Sequence, residues 1–161
     1  MKQDQSAVLA FADDILCSGF DCSVLIIDDS WSRYYGEFEF DKGRFPSPEE
    51  MIRALHNKGM KVMLWECPFI SSDSSVFREL RERDCLVKNA DGSVAIREWW
   101  NGYSAILDMS NPAAEKFLAD KNAALIAMGV DGFKLDAGDI EYYKDDDITF
   151  GGVAATEQCK L

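Results

Sequence analysis

Apolar residues along this chain fall into two alternating patterns, a helical spacing and short continuous runs. Over residues 6–18 they recur three and four positions apart, which predicts a helix that Ser6 caps and Gly19 ends. The run Val24–Ile27 that follows has no polar interruption, as in a strand that is buried on both faces. This stretch therefore predicts one helix followed by one strand of a parallel sheet.

The same order of elements occurs twice more. A capping box at 47–50 begins a second helix, which ends before the apolar strand 61–65. A longer helix begins at 111–112 and ends at Gly129, before a short apolar strand that leads to Asp136. Helices that alternate with apolar strands in this way predict parallel β/α units.

In parallel β/α units all strands run in the same direction, so their carboxyl ends lie at one edge of the sheet. A further short strand at 105–107 adds to the residues that follow strand ends. The residues predicted at this edge are Asp28, Asp29, Trp65, Asp108 and Asp136. Barrel enzymes and open α/β sheets both place their sites here. No glycine-rich phosphate loop follows any strand, which disfavours a nucleotide-binding sheet.

The remaining segments connect these units. The aromatic-rich loop 31–47 is long, and its alternation at 34–40 predicts a small hairpin arm. A short charged helix is predicted at 73–83. An Asp-Gly pair within 86–96 predicts a hairpin. No element is predicted over 151–161.

Composition excludes several classes of partner. The 161 residues, 47% of them apolar, are enough for one folded domain with a sizeable core. The net charge of −12 argues against nucleic acid and anionic membrane surfaces, which require clustered Lys and Arg. The acidic cluster 145–147 is expected to be solvated surface. No apolar run reaches membrane-spanning length, and the N-terminus shows no signal-peptide core.

The cysteines and the histidine predict no metal site and no cofactor. Five cysteines stand at positions 17, 22, 67, 85 and 159 without a C-x-x-C pair, so reduced thiols in a cytoplasmic protein are the expectation. His56 has no partners at zinc-ligand spacing and is interpreted as a packing residue.

Carboxylates that converge among Trp and Tyr residues fit a sugar ligand. Carboxylates accept hydrogen bonds from hydroxyl groups, and flat aromatic rings pack against the C–H faces of a sugar ring. Glycoside hydrolysis also uses two carboxyl groups, one that attacks or guides water and one that protonates the leaving oxygen. A Mg²⁺ or Ca²⁺ site is the alternative for an acidic cluster, but no divalent-cation loop spacing is present.

The segment 129–139, Gly-Val-Asp-Gly-Phe-Lys-Leu-Asp-Ala-Gly-Asp, closely resembles the nucleophile motif of family 31 glycoside hydrolases. The resemblance covers residues 6–143. Its other motifs, in the family's order, are Ile-Ile-Asp-Asp-Ser-Trp at 26–31, the segment 40–46, Leu-His-Asn-Lys-Gly at 55–59, Trp65 with Pro68, the segment 75–80, Asn-Ala-Asp-Gly at 89–92, Trp100 and Asp-Met-Ser-Asn-Pro at 108–112. The resemblance implies an α/β fold, a (β/α)₈ TIM barrel, that hydrolyses α-glycosides with retention.

The resemblance also implies roles for individual residues. Asp136 would be the nucleophile, Asp28 would bind sugar hydroxyls, and Trp65 and Trp100 would line the sugar pocket. Lys134 lies two residues before Asp136 on the same strand and would point to the same side, where it could hold a hydroxyl or keep the nucleophile ionised.

Three further carboxylates are less clearly assigned. Asp29 and Asp108 are candidate sugar ligands or braces for loops. Asp139 stands where the family usually has Glu, so it receives no role.

The length predicts only part of a barrel. A full (β/α)₈ barrel needs about 250 residues, and the family's acid/base lies on a later strand, well past the nucleophile. Residues 1–161 therefore resemble about half of the catalytic domain, without the first strand and the later ones. We expect little or no turnover from this chain alone, because a poor leaving group needs an acid. Unpaired strand edges would favour self-association.

Several alternatives stay open at this point. Ile-Asp-Asp-x-Trp and Leu-Trp-Glu-x-Pro also resemble the related α-galactosidase barrels, although the stretch 76–92 favours family 31. The sequence does not decide whether the sugar of the substrate is α-galactose, α-glucose or α-xylose. A non-catalytic carbohydrate-binding or interaction protein is the hypothesis from another class, and an unrelated β/α sheet protein is the last.

Overall fold

The computed structural model describes residues 3–160, and the chain divides into two compact units. The first unit comprises the chain up to Arg33 together with Phe38–Glu66 and Lys121–Leu135. The second comprises Tyr34–Glu37, Cys67–Asp120 and the chain from Asp136 onward. In order, the helices and strands are α1 (Gln5–Cys17), β1 (Val24–Ile27), α2 (Pro48–Asn57), β2 (Lys61–Glu66), β3 (Phe69–Ser71), α3 (Ser75–Glu82), β4 (Ile96–Trp99), β5 (Gly102–Ile106), α4 (Pro112–Met128) and β6 (Gly132–Leu135).

The first unit is built on a parallel sheet of three strands in the order β1-β2-β6. Ile27 of β1 lies opposite Leu64 of β2, and Trp65 of β2 lies opposite Lys134 of β6. Each of these strands follows a helix along the chain, which confirms the predicted parallel β/α units. Glycines with positive φ end the helices, at +79° for Gly19 and +83° for Gly59.

Strand β2 is mostly buried, as predicted, but β1 and β6 are less buried than their apolar sequences predict. β1 alternates, with Leu25 and Ile27 buried and with Val24 and Ile26 each 44% exposed. Leu135 of β6 is 77% exposed. The prediction of strands buried on both faces is therefore wrong for these residues. Helix α2 packs on β2, and its own apolar residues Met51, Ile52 and Leu55 are buried.

The helix caps differ from the predictions in two places. Asp4, not Ser6, caps α1, because its carboxylate accepts hydrogen bonds from Ala7 N at 2.8 Å and Ser6 Oγ at 2.7 Å. Ser47 precedes α2 as expected, but its side chain makes no capping hydrogen bond. The Pro at the first position of α2 fixes its φ in the helical range without that bond.

The second unit contains an antiparallel sheet in the order β3-β5-β4, with Phe69 opposite Ile106 and Trp99 opposite Gly102. The strand predicted at 105–107 overlaps β5 at residues 105 and 106, but β5 is antiparallel to its neighbours. Neither β3 nor β4 was predicted. Asp108 therefore does not follow a strand of a parallel β/α unit, as the sequence pattern had suggested.

Aromatic rings form much of the core of the second unit. Phe69 stacks on Trp99 with ring centroids 4.3 Å apart, and Tyr35 and Tyr142 contact these two rings edge-on. The predicted turn at 89–92 is present, with Gly92 N donating to Asn89 O at 2.8 Å. The arm predicted at 34–40 is not a hairpin, and an isolated antiparallel bridge joins the flanking residues Ser32 and Phe40.

Two further findings concern the C-terminal segment and the length of the helices. A 3-10 helix spans Ala155–Lys160, where no element was predicted. Among the helices within residues 3–160, none has the length and apolar character needed to cross a membrane.

Candidate active site

Three of the predicted site residues lie at the carboxyl edge of the parallel sheet in the first unit. Asp28 follows β1 directly, Trp65 lies near the end of β2, and Lys134 lies opposite Trp65 on β6. Lys134 Nζ donates to Asp28 Oδ2 at 3.1 Å. The Lys134 and Asp28 side chains are 38% and 50% exposed, so both charges remain accessible to a ligand.

The backbone after β1 orients Asp28. Its Oδ1 accepts a hydrogen bond from Asp29 N at 2.8 Å, while Oδ2 accepts from Lys134. Ser30 has a φ of +67°, an uncommon conformation for a residue with a side chain. The carboxylate is thus held at two atoms beside a tight turn, and Asp29 is half-buried within that turn.

Trp65 is more deeply buried than a residue lining an open pocket, at 4% exposure. Its backbone oxygen accepts a hydrogen bond of 2.7 Å from the indole Nε1 of Trp31, which is itself buried. Trp31 packs against Phe40 with ring centroids 5.1 Å apart. The hydrogen bond from Trp31 therefore fixes the end of β2. No role was predicted for Trp31 from the sequence, although it is the last residue of the Asp-Asp-Ser-Trp segment.

Asp136, the predicted nucleophile, belongs to the second unit and is half-buried. Its Oδ1 accepts a hydrogen bond from Ala137 N at 2.8 Å, which restricts rotation of the carboxylate. Ala137 is buried and has a φ of +60°, a strained conformation for a residue with a Cβ. Backbone strain of this kind is frequent beside reacting groups.

The other two predicted residues of the second unit differ sharply in exposure. Trp100 is 58% exposed, and its ring contacts Trp99 with centroids 5.1 Å apart. Asp108 is buried, and both of its oxygens are engaged. Oδ1 accepts from Ser110 N at 3.0 Å, and Oδ2 accepts from Phe150 N at 2.6 Å. These contacts favour the bracing interpretation of Asp108 over the sugar-ligand one.

Sequence reasoning missed Glu66, the last residue of β2. It is 3% exposed, and burial raises its pKa to about 7, while a hydrogen bond from Asn122 opposes that shift. Asn122 Nδ2 donates to Glu66 Oε2 at 3.3 Å. The signal in the sequence was a charged residue at the end of an apolar strand. Glu66 was considered only within the segment Leu-Trp-Glu-x-Pro, and no role was predicted for it.

His56 is not the packing residue that the sequence suggested. Its Nε2 lies 2.8 Å from Asp131 Oδ2, and its side chain is 38% exposed. Asp131 Oδ2 also accepts a hydrogen bond from Val62 N at 2.8 Å. The Val62 N–H and then His56 hold the pKa of Asp131 below its usual value.

The predictions for the acidic cluster 145–147 and for the cysteines can be compared with the structure. Asp147, which we expected to be solvated, is buried and forms an ion pair with Arg97, whereas Asp145 and Asp146 are exposed. Four cysteines are free thiols, and the side chain of Cys159 lies outside the described residues. Within the described part of the chain, no three His, Cys, Asp or Glu side chains are placed to hold a metal ion.

Residues 1–156 match the profile described as the Glycosyl hydrolases family 31 TIM-barrel domain. The mouse protein named Myogenesis-regulating glycosidase is 40% identical over 149 residues, which is 91% of this chain and 21% of that protein. Alpha-xylosidase XylQ of Lactiplantibacillus pentosus is 32% identical over 84% of this chain and 18% of its own length. The chain thus spans about a fifth of the length of these relatives.

Solved structures match the fold over almost the whole chain. A family 31 α-xylosidase from a soil metagenome, crystallised with xylose, aligns with a TM-score of 0.85 at 19% identity. The alignment covers 98% of this chain and 24% of that one. At this level of identity the likeness concerns the fold.

Proposed function

The chain belongs to glycoside hydrolase family 31, and we propose that it is the nucleophile-bearing part of an exo-acting α-glycosidase that removes terminal α-linked sugars with retention. The observation that carries the proposal is the exposed contact between Asp28 and Lys134 at the carboxyl edge of a parallel sheet. Barrel enzymes bind substrates at that edge.

Asp28 and Lys134 are suited to hold the hydroxyl groups of a sugar. A carboxylate accepts hydrogen bonds from hydroxyls, and an ammonium group donates to them. The two charges lie 3.1 Å apart, so neighbouring hydroxyls of one ring would bridge them. The exposed ring of Trp100 is proposed to contact an apolar face of a substrate. Trp65, which the sequence predicts to line the sugar pocket, is buried and is proposed to support the end of β2.

Asp136 is proposed to attack the anomeric carbon. Its carboxylate oxygen forms a bond to that carbon while the bond to the leaving glycosidic oxygen breaks, and an acid supplies that oxygen with a proton. Water then displaces Asp136 and releases the sugar with its original anomeric configuration. We assign the acid to no residue of this chain, so turnover is expected from the longer protein and not from these residues alone.

The parallel strands β1, β2 and β6 are proposed to be part of an eight-stranded barrel. The outer strands of this sheet, β1 and β6, would each pair with a further strand of the complete domain. In the isolated chain these edges are expected to favour self-association.

An activated substrate tests the nucleophile without the acid. We would incubate the chain with aryl α-glycosides that carry a fluorinated ring and a good leaving group, in galacto, gluco and xylo forms, and measure its intact mass. A gain of one glycosyl unit in the wild type, absent in Asp136→Ala, is the expected result and identifies the sugar. Asp139→Ala serves as the matched control and should still be labelled.

Two other outcomes contradict parts of the proposal. Labelling that persists in Asp136→Ala would move the nucleophile to another residue. Sugar binding detected by NMR without any adduct would favour a non-catalytic carbohydrate-binding protein over the glycosidase.

A further inference from the structure

Glu66 and Asn122 form a buried contact in the first unit that the proposed reaction does not use. Glu66 ends β2 and Asn122 lies on α4, so the contact joins a strand to a helix. The only hydrogen bond between them runs from Asn122 Nδ2 to Glu66 Oε2, at 3.3 Å. This length is at the weak end for an N–H donor.

Two oxygen atoms of this contact are buried without a hydrogen-bonding partner in the described part of the chain, Glu66 Oε1 and Asn122 Oδ1. While Glu66 is ionised, both atoms can only accept hydrogen bonds, so neither can satisfy the other. A buried carboxylate with one weak hydrogen bond is costly to maintain. One proton on Oε1 removes both defects, because the resulting O–H can donate to Oδ1 while Oε2 accepts from Nδ2.

The surroundings of Glu66 favour that proton. Its register partner on β6 is Leu135, which is apolar. The charged residues next in sequence on the neighbouring elements are engaged in ion pairs, Lys134 of β6 with Asp28 after β1 and Lys121 of α4 with Glu39. None of these contributes to the shift of Glu66, whose pKa burial raises from 4.5 to about 7.

We propose that Glu66 and Asn122 form a proton-dependent latch between β2 and α4, closed while the carboxyl is neutral and opened when it ionises. In the closed state the acid and the amide exchange two hydrogen bonds. In the open state a buried carboxylate faces the amide oxygen, and the strand end and the helix separate or admit water.

The direction of the pH effect follows from the pKa values. Because the folded pKa, about 7, lies above the ordinary value of 4.5, the latch contributes its full stability below 4.5 and loses it as the pH rises to about 7. Each pH unit in this window changes the folding equilibrium about tenfold, so the total loss is on the order of a hundredfold or more.

Urea denaturation across this pH window tests the latch. Glu66→Gln keeps the shape and supplies an amide donor at every pH, so its folding equilibrium should lack the hundredfold decline of the wild type. Glu49→Gln removes an exposed acid from the first turn of α2 and should keep the wild-type decline. Parallel pH curves for the wild type and Glu66→Gln would overturn the proposal.

A second measurement keeps the test decisive if Glu66→Gln does not fold. NMR of the wild type with ¹³C-labelled glutamate carboxyls should show one resonance titrating near 7, apart from the exposed glutamates. Carboxyls that all titrate near the ordinary value of 4.5 would contradict a neutral Glu66.

Discussion

Two ion pairs, one in each unit, show how differently the chain uses opposite charges. In the first unit Lys134 and Asp28 are 38% and 50% exposed. In the second unit the side chains of Arg97 and Asp147 are 9% and 0% exposed. The first pair lies at the edge of a parallel sheet, while the second is enclosed.

The enclosed pair is held by other polar groups. Arg97 also donates to Tyr142 O at 2.9 Å and to Asn89 Oδ1 at 3.0 Å, and Asp147 Oδ2 accepts from Lys144 N at 2.9 Å. These bonds tie β4 to the turn at 89–92 and to the segment 142–147. The comparison teaches that an exposed pair keeps its charges available for a ligand, whereas an enclosed, fully bonded pair stabilises the fold.

Breaking the enclosed pair should have the largest effect. Arg97→Met leaves Asp147 buried and without its cation, which costs about 3–5 kcal/mol in typical proteins. We expect a loss of this size in the free energy of unfolding, measured by urea denaturation. Arg83→Met is the matched control, since Arg83 pairs with Glu79 at the surface and its loss should cost less than about 1 kcal/mol. If Arg97→Met and Arg83→Met lost the same free energy of unfolding, enclosure would not determine how much an ion pair stabilises this chain.

An intermediate case is the contact of His56 with Asp131, whose side chain is 27% exposed. Asp131→Asn weakens the hydrogen bond from Val62 N and removes the charge beside His56, so we expect a loss of about 1–2 kcal/mol near neutral pH. The folded pKa of Asp131 lies below 3.8, so its contribution is present above that value and is lost as the pH falls through the folded pKa.

The pH dependence checks this second prediction. Stability curves of the wild type and Asp131→Asn should converge as the solution becomes acidic, while Asp14→Asn, an exposed acid on α1, should not reproduce the convergence. A constant gap between wild type and Asp131→Asn at all pH values would assign the effect to packing.

These pairs also show what the sequence could predict. Asp28 was placed correctly at the edge of the sheet, because it ends a short apolar run and parallel strands share one edge. Lys134 was assigned to the sugar site because it lies two residues before Asp136, a spacing that places both side chains on the same face of a strand. The placement of Asp28 needed only the local pattern and the parallel direction of the strands, whereas the role of Lys134 also depended on the family resemblance.

The enclosed pair could not be predicted in this way. Arg97 and Asp147 are fifty positions apart, and nothing in their local sequences distinguishes them from surface charges. β3 and β4 were missed for a similar reason, since an antiparallel sheet within a long connection depends on distant hydrogen bonds. Glu66 was missed because its partner, Asn122, lies on a helix that is remote in sequence.

Breaking the exposed pair of Lys134 and Asp28 should have the smallest effect on the free energy of unfolding. Its effect on sugar binding should be larger than its effect on stability. Lys134→Met keeps the length of the side chain and removes the charge, and we expect a change in unfolding free energy below about 1 kcal/mol. If Lys134 holds a sugar hydroxyl, the same variant loses labelling by the fluorinated glycoside. Lys116→Met is the control, because Lys116 forms an exposed pair with Asp120 on α4. A labelling rate that is unchanged in Lys134→Met would remove Lys134 from the proposed sugar site and leave its contact with Asp28 as surface electrostatics alone.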